Sequence, residues 1–280
     1  VTGAAVGTTI GRGIGVLFAA WWLFKPGGRI TVHKEHWRLD FRILTNMIKI
    51  AAPAVLQFTI ATGSWSALVR VVAGFGSEAI PGYVIGLRVI MFVLLPAVGL
   101  SNAAATLVGQ NLGAGKPVRS EDAVWKGAFL NAAVLGAVEL IFLFYSGPII
   151  GFFTGEPEVL MYGTNCLHIV AYGFVFYAFG MVFETAFNGA GDTWTPTYLN
   201  LFIFWLFEIP LAFILAYGFS EAGKLNNYLP FEISFLYELA KFDFKLGPNG
   251  VFWAITIAFS ALAVVSALLF RRGKWKTKQV

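Results

Sequence analysis

Seven ionisable residues lie inside long apolar stretches of the sequence, where a charged side chain is energetically expensive. They are Arg12, Arg70, Arg88, Glu139, Glu184, Glu208 and His168. Burial without a partner disfavours the charged form of a carboxylic acid, so such a group can bind and release a proton. This pattern therefore points to the movement of protons or cations. The alternative is a structural Arg–Glu pair inside a helix bundle.

Three polar residues of one apolar stretch share a helix face. Tyr177, Glu184 and Asn188 follow one another at intervals of seven and four residues, and an α-helix places such residues one above another. We expect this face to line a cavity for a proton, a cation or a substrate. The other candidates for this cavity are Glu208, Glu139 and Arg88.

The stretch "LVGQNLGAGKPVRSEDA" at 107–123 resembles a phosphate-binding loop. That loop requires two glycines separated by four residues and then Lys followed by Ser or Thr. Here Gly109 and Gly115 are separated by five residues, and Pro117 follows Lys116. We therefore interpret the stretch as a glycine turn at the end of a helix, without nucleotide binding.

The stretch "GAGD" at 189–192 resembles the GxGD motif of intramembrane aspartyl proteases, which need a second aspartate facing the first. The other aspartates lie in loops or at helix ends, so no carboxylate dyad is expected. Asp192 is expected instead to cap the next helix, with Pro196 in its first turn. Since the chain also has a single cysteine, Cys166, and no HExxH motif, we predict no enzyme activity, no metal site and no cofactor.

The composition is that of an integral membrane protein built from helices. Of the 280 residues, 58% are hydrophobic and 12% are charged, whereas a soluble domain usually has about 25% charged residues. About 20 apolar residues cross a bilayer. Seven stretches qualify as membrane-spanning helices: 2–24, 47–75, 79–111, 123–146, 158–187, 195–219 and 249–270.

The positive charge predicts an orientation in the membrane. The net charge is +5, and Lys and Arg concentrate in the segments 25–46, 112–126 and 271–280. Cytoplasmic loops carry such an excess. We expect these three segments to be cytoplasmic and the segment 220–248 to be an extracytoplasmic insertion. The charge thus reflects topology and does not indicate a nucleic-acid partner.

Three longer motifs resemble the multidrug and toxic compound extrusion (MATE) family. They are "GYVIGLRVIMFVLLPAVGLSNAAATLVGQNLGAGKPVRSEDA" at 82–123, "FNGAGDTWTPTYLNLFIFWLFEIPLAF" at 187–213 and "GPNGVFWAI" at 247–255. The resemblance implies that the seven spans correspond to helices six to twelve of a twelve-helix transporter with two lobes. It also implies that 109–119 is the cytoplasmic turn after helix eight.

The resemblance divides the chain into four parts. Residues 1–24 would be the last helix of the N-terminal lobe, 25–46 a cytoplasmic linker between the lobes, 47–270 the C-terminal lobe of six helices, and 271–280 a basic cytoplasmic tail. It implies an antiporter of the prokaryotic inner or plasma membrane, monomeric when full length, that exports drugs or organic cations in exchange for H⁺ or Na⁺. Its partners would be small amphipathic or cationic substrates and the lipid bilayer.

Two departures leave the coupling ion open. The glutamate that one branch of the family has in helix seven is matched here by Ala61, and the aspartate of helix ten by Tyr177. A flippase for lipid-linked oligosaccharides, from the same wider superfamily, is the second interpretation, because cationic residues would suit it; the candidates are Arg12, Arg70 and Arg88. A polytopic membrane subunit without transport activity is the third.

Overall fold

A computed structural model of the chain describes residues 2–25, 40–218 and 245–277, and the described residues contain helices and no strand. The chain divides into two compact units, residues 1–49 and 50–280. The predicted linker at 25–46 and the predicted insertion at 220–248 lie mostly outside the described residues, so both assignments stay predictions.

The first unit contains helix α1, Thr2–Phe24, and the beginning of helix α2, Phe41–Val72. Asp40 caps α2, because its Oδ1 accepts hydrogen bonds from the backbone N–H groups of Arg42 at 2.8 Å and Ile43 at 3.3 Å. This cap explains why α2 starts six residues before the predicted span at 47, since the apolar run alone does not reveal it.

The second unit contains the rest of α2 and the remaining helices. They are α3 (Ala79–Gly113), α4 (Pro117–Gly151), α5 (Pro157–Ala171), α6 (Phe174–Gly189), α7 (Trp194–Asn200), a π-helical stretch (Leu201–Glu208), α8 (Ile209–Tyr217) and α9 (Pro248–Arg271). The run from Trp194 to Tyr217 is long enough to cross a membrane as one helix. Six helices of the described residues meet that criterion, and the bent pair α5–α6 makes a seventh. The prediction of an all-α membrane protein is confirmed.

The predicted single span at 158–187 consists of two helices. Between α5 and α6 the chain bends by 61° at Tyr172 and Gly173. Gly173 lies against α9, where an added Cβ would be 3.3 Å from the Cα of Thr256. A close backbone approach of this kind is a tertiary contact, and hydropathy carries no sign of it.

Two glycine turns end helices with the same hydrogen-bond pattern. After α3, the N–H of Lys116 bonds to Asn111 O and that of Gly115 to Leu112 O. After α6, the N–H of Asp192 bonds to Phe187 O and that of Gly191 to Asn188 O. Each is a Schellman motif, with a glycine at φ +70° or +77° in the left-handed region.

The turn of 109–119 therefore has the helix-ending geometry that its sequence predicts. The expectation for Asp192 is wrong in detail. Thr193 occupies the N-cap position of α7, without a side-chain capping bond. The N–H of Asp192 belongs to the preceding Schellman turn. Its side chain accepts a hydrogen bond from the hydroxyl of Thr195 at 2.8 Å.

The beginning of the basic tail is packed against the second unit. Trp275 is fully buried, stacks on Phe270 at 4.6 Å and donates its Nε1–H to Phe270 O. Lys276 forms an ion pair with Glu121 near the start of α4. The tail and the turn before α4 thus lie at the same end of the unit, as their shared positive charge suggested, while the compartment that they face stays a prediction.

Candidate functional site

Glu208 is the most deeply buried acid among the described residues. It is 1% exposed and lies where the π-helical stretch meets α8, two residues before Pro210. Stretches of π-helix occur frequently at functional sites. The Oγ of Ser64, in α2, lies 2.9 Å from Oε2 of Glu208 and 3.3 Å from the carbonyl oxygen of Phe204.

A narrow cavity is lined by Glu208 and by Tyr83 in α3. Tyr83 is fully buried, and its hydroxyl has no hydrogen-bond partner. The rest of the lining is apolar or aromatic: Trp65, Leu68, Leu87, Ile90, Val170, Ile255 and Phe259. A buried hydroxyl without a partner costs about 1–3 kcal/mol, so this position favours any occupant that offers it a hydrogen bond.

A row of hydrogen bonds holds α2 against the helix that runs from Trp194 to Tyr217. Besides Ser64, the row uses the side chain of Gln57 and three backbone oxygens of α2, and all its α2 members lie on one helix face. The bonds are Thr197 Oγ1 to Pro53 O, Gln57 Nε2 to Thr193 O, Trp205 Nε1 to Ile60 O and Tyr217 OH to Val71 O. This polar seam positions Ser64 beside Glu208.

Glu184 and Tyr177 lie on α6, along the same interior. Oε1 of Glu184 is buried without a hydrogen-bond partner. The ring of Tyr177 stacks on Phe259 with centroids 3.9 Å apart, and Phe259 also lines the Glu208 cavity. Tyr177 lies within electrostatic reach of both Glu184 and Glu208.

Asn188, the third residue of the predicted face, is engaged by α2. Its side-chain amide exchanges two hydrogen bonds of 3.2 Å with the amide of Gln57. Such a reciprocal pair satisfies both amides, and it ties the end of α6 to the polar seam. Whether Asn188 also contacts a substrate stays a prediction.

Glu139 and Arg88 occupy other places. Oε2 of Glu139 accepts the backbone N–H of Val175 at 3.4 Å, at the start of α6, where unpaired N–H groups favour a carboxylate. Arg88 is exposed, in a surface depression whose other lining residues are Trp65, Val84, Leu87, Met91, Phe92 and Leu95. Neither contacts the Glu208 cavity, and a coupling role for either one stays a prediction.

The two interior carboxylates lack the arginine partners of the structural alternative. Within residues 2–25, 40–218 and 245–277, the two ion pairs that are seen join Lys126 to Asp122 and Lys276 to Glu121. Glu184 and Glu208 take part in neither of them. An Arg–Glu ion pair within this part of the chain therefore does not explain why Glu184 and Glu208 are in the interior.

Sequence reasoning missed Ser64, Tyr83 and Gln57, because it considered neutral polar residues only on the helix face of Glu184. A partial signal existed, since Gln57 and Ser64 are seven residues apart and share a face with Pro53. No spacing links that face to Glu208, which follows Ser64 by 144 residues.

The chain resembles known proteins in both sequence and structure. The chain is 24% identical to the probable multidrug resistance protein YoeA of Bacillus subtilis, over 74% of this chain and 44% of that protein. A crystal structure of MATE in complex with MaL6 superposes with a TM-score of 0.80 at 20% identity, covering 97% of this chain and 56% of that one.

A MOP superfamily transporter from Pyrococcus furiosus, described with a binding pocket of reverse polarity that suggests a different function, superposes with a TM-score of 0.82 at 19% identity. The match covers 99% of this chain and 57% of that one. The chain thus spans about half the length of these proteins.

The sequence model of the MatE family matches residues 53–214, which is more than half of the chain. That range includes the polar seam except Tyr217, and it also includes Tyr83, Glu184 and Glu208. The chain is an integral membrane protein of the MatE family of transporters.

Proposed function

We propose that the protein is part of an antiporter that exports drugs or organic cations in exchange for H⁺ or Na⁺. The observation that carries this proposal is the placement of Glu184 and Glu208 inside the bundle without a basic partner in the described part of the chain. An intramembrane carboxylate of this kind is costly, and such residues commonly mark ion pathways.

The interior carboxylates connect the binding of an ion to a change in helix packing. A carboxylate without a fixed counter-ion changes its charge when it takes up H⁺ or Na⁺, and it then favours a different packing of the helices around it. The π-helical stretch ends at Glu208, and Val170, next to the 61° bend between α5 and α6, lines the Glu208 cavity. Irregular helices of this kind are typical of alternating-access transporters.

The experiment uses the whole gene product, expressed in a bacterium whose own efflux pumps have been deleted. The measurement is ethidium export, and the variant is Glu184→Gln, which keeps the size and hydrogen bonding of the side chain while removing its charge. We expect export to fall at least tenfold at an unchanged expression level. The matched control, Glu158→Gln, changes an exposed acid in the first turn of α5 and should export like wild type.

Wild-type export by Glu184→Gln across a range of pH would reduce Glu184 to a structural role. Equal losses in both variants would also contradict the proposal, because a general effect of removing acids would then explain the result.

One observation favours a second candidate, a flippase for an anionic lipid-linked substrate. Arg88 is an exposed cation in a depression that is otherwise lined by apolar and aromatic side chains, and this combination suits a phosphate group with an attached hydrocarbon chain. Transfer of a fluorescent lipid-linked oligosaccharide across vesicles that contain the protein, lost in Arg88→Gln, would favour this function. Ethidium export that persists in Arg88→Gln would favour the antiporter.

A further inference from the structure

The hydroxyl of Ser64 has two acceptors within reach, Oε2 of Glu208 at 2.9 Å and the carbonyl oxygen of Phe204 at 3.3 Å. A serine hydroxyl carries a single proton, so it donates to one acceptor at a time, while its oxygen can accept a second bond. All three groups are buried within the second unit. Whether Ser64 donates to Glu208 or accepts from it therefore depends on whether Glu208 is protonated.

Both protonation states of Glu208 are satisfied by this geometry. When the carboxylate is anionic, Ser64 donates to Oε2 and forms a charge-assisted hydrogen bond, which is stronger than a neutral one. When a proton binds to Oε2, a new O–H bond forms and the charge of the side chain changes from −1 to 0. Glu208 then donates to Ser64, and Ser64 turns its own proton to Phe204.

Tyr83 is the second residue with a hydroxyl group near Glu208, because both residues line the same cavity. Its hydroxyl is fully buried, has no partner and lines the same cavity as Glu208. The cavity is lined by one carboxylate and by one tyrosine with a hydroxyl group, and the rest of its lining is apolar or aromatic. The hydroxyl of Ser64 bonds to the same carboxylate. Hard metal cations usually bind about six or more oxygens, whereas a proton needs a single acceptor.

We propose that Glu208, Ser64 and Tyr83 form a buried proton-binding site of the transporter, with Ser64 as the residue that hydrogen-bonds to both protonation states. The inference rests on the proposed antiport function and specifies H⁺ as the ion bound in this lobe. Ser64 and Tyr83 are positioning residues, and Glu208 carries the proton.

The other titratable groups around Glu208 are few. On α6, Tyr177 lies within electrostatic reach of both Glu208 and Glu184. On α5, Cys166 lies within electrostatic reach of Tyr83. The cavity residues from α9, Ile255 and Phe259, do not titrate.

Arg88, on α3, is an exposed cation in a neighbouring surface depression. Trp65 and Leu87 line both its surface depression and the Glu208 cavity, so these two side chains form the wall between them. Glu208 takes part in neither of the ion pairs seen among the described residues.

The test is infrared difference spectroscopy of the whole protein in lipid vesicles, combined with ethidium transport driven by a pH gradient. We expect a carboxylic-acid C=O band that changes with pH in the wild type and is lost in Glu208→Gln. In Ser64→Ala the midpoint of this band should move about one pH unit to the alkaline side, because the anion loses a charge-assisted hydrogen bond while the protonated acid loses a weaker neutral one.

Two variants control for the side-chain change. Ser64→Thr keeps the hydroxyl and should retain the wild-type midpoint. Ser66→Ala removes an exposed hydroxyl two residues away, which bonds only to its own helix at Thr62 O, and should also leave the midpoint unchanged.

Tyr83→Phe is a further test variant. It should move the midpoint to the alkaline side, as Ser64→Ala does.

The outcomes distinguish the proton site at Glu208 from the proposed antiport function. Ethidium transport that depends on Glu208 but is driven by a Na⁺ gradient, with no C=O band that changes with pH, would overturn the proton site and leave the antiporter standing. A band that titrates as expected in a protein without ethidium transport under any gradient would support the proton site and contradict the proposed export function. A midpoint unchanged in Ser64→Ala would overturn the role of Ser64.

Discussion

Replacing Gly189 with alanine tests how closely α3 and α6 approach each other. A Cβ at this position would lie 2.3 Å from the carbonyl oxygen of Ala105 and 2.9 Å from its Cα. Both atoms belong to the backbone of α3, so no side-chain rotation relieves the contact. The helices would have to separate by roughly 1 Å to reach an ordinary carbon–oxygen distance.

The chain offers a matched control in Gly113. Gly113 is the last residue of α3 and Gly189 the last residue of α6, and each precedes Ala–Gly in a Schellman turn. A Cβ on Gly113 meets no atom within 4 Å. Because alanine is favoured over glycine in helices by about 1 kcal/mol, Gly113→Ala should be neutral or slightly stabilising.

Gly189→Ala receives the same helix benefit but adds overpacking, which typically costs about 1–3 kcal/mol. Since no flexible atom can yield, we expect the upper part of this range and a net loss of about 2 kcal/mol. For a unit of this size, that corresponds to a fall in Tm of roughly 4–8 °C. The measurement is the fraction of detergent-solubilised protein that stays monodisperse after heating, followed by a fluorescent fusion tag.

A Tm for Gly189→Ala equal to or above that of Gly113→Ala would refute the close helix approach. A second variant identifies the atoms responsible. In the double variant Gly189→Ala with Ala105→Gly, the loss should persist, because the obstructing atoms are backbone; full recovery would mean that the Ala105 side chain was the obstacle.

Further predictions concern the turns and the topology. Lys116→Ala should leave transport unchanged and ATP-analogue photolabelling should not map to the 109–118 turn, because its amides are engaged in a Schellman motif; labelling at Lys116 would contradict this. In a Cys166→Ala background, an impermeant thiol reagent applied outside intact cells should fail to label Lys34→Cys and Lys274→Cys and should label Lys224→Cys, as the distribution of Lys and Arg predicts. Labelling of either of the first two would overturn the orientation. Trp275→Ala should lower Tm by several degrees, since it removes a fully buried ring that stacks on Phe270; the exposed Trp194→Ala is the control and should have a smaller effect.

Apolar runs determined the number and approximate position of the membrane helices, because a helix that crosses a bilayer needs about 20 apolar residues whatever it packs against. Glycine and proline likewise determined the turn after α3, since the left-handed conformation of Gly115 and the missing N–H of Pro117 act locally. The bend between α5 and α6 was not predictable in this way, because it lies at Gly173, where the backbone packs closely against α9.

The acids Glu184 and Glu208 were identifiable from the sequence, because an ionisable residue in an apolar stretch is conspicuous without any structure. Their surroundings were not. The sequence permitted an arginine partner for each, and it left Ser64 and Tyr83 among many neutral polar residues. Only the packing of α2 and α3 against the helix from Trp194 to Tyr217 brings these hydroxyls to Glu208, since contacts between residues more than 120 positions apart depend on how whole helices pack and not on any local pattern.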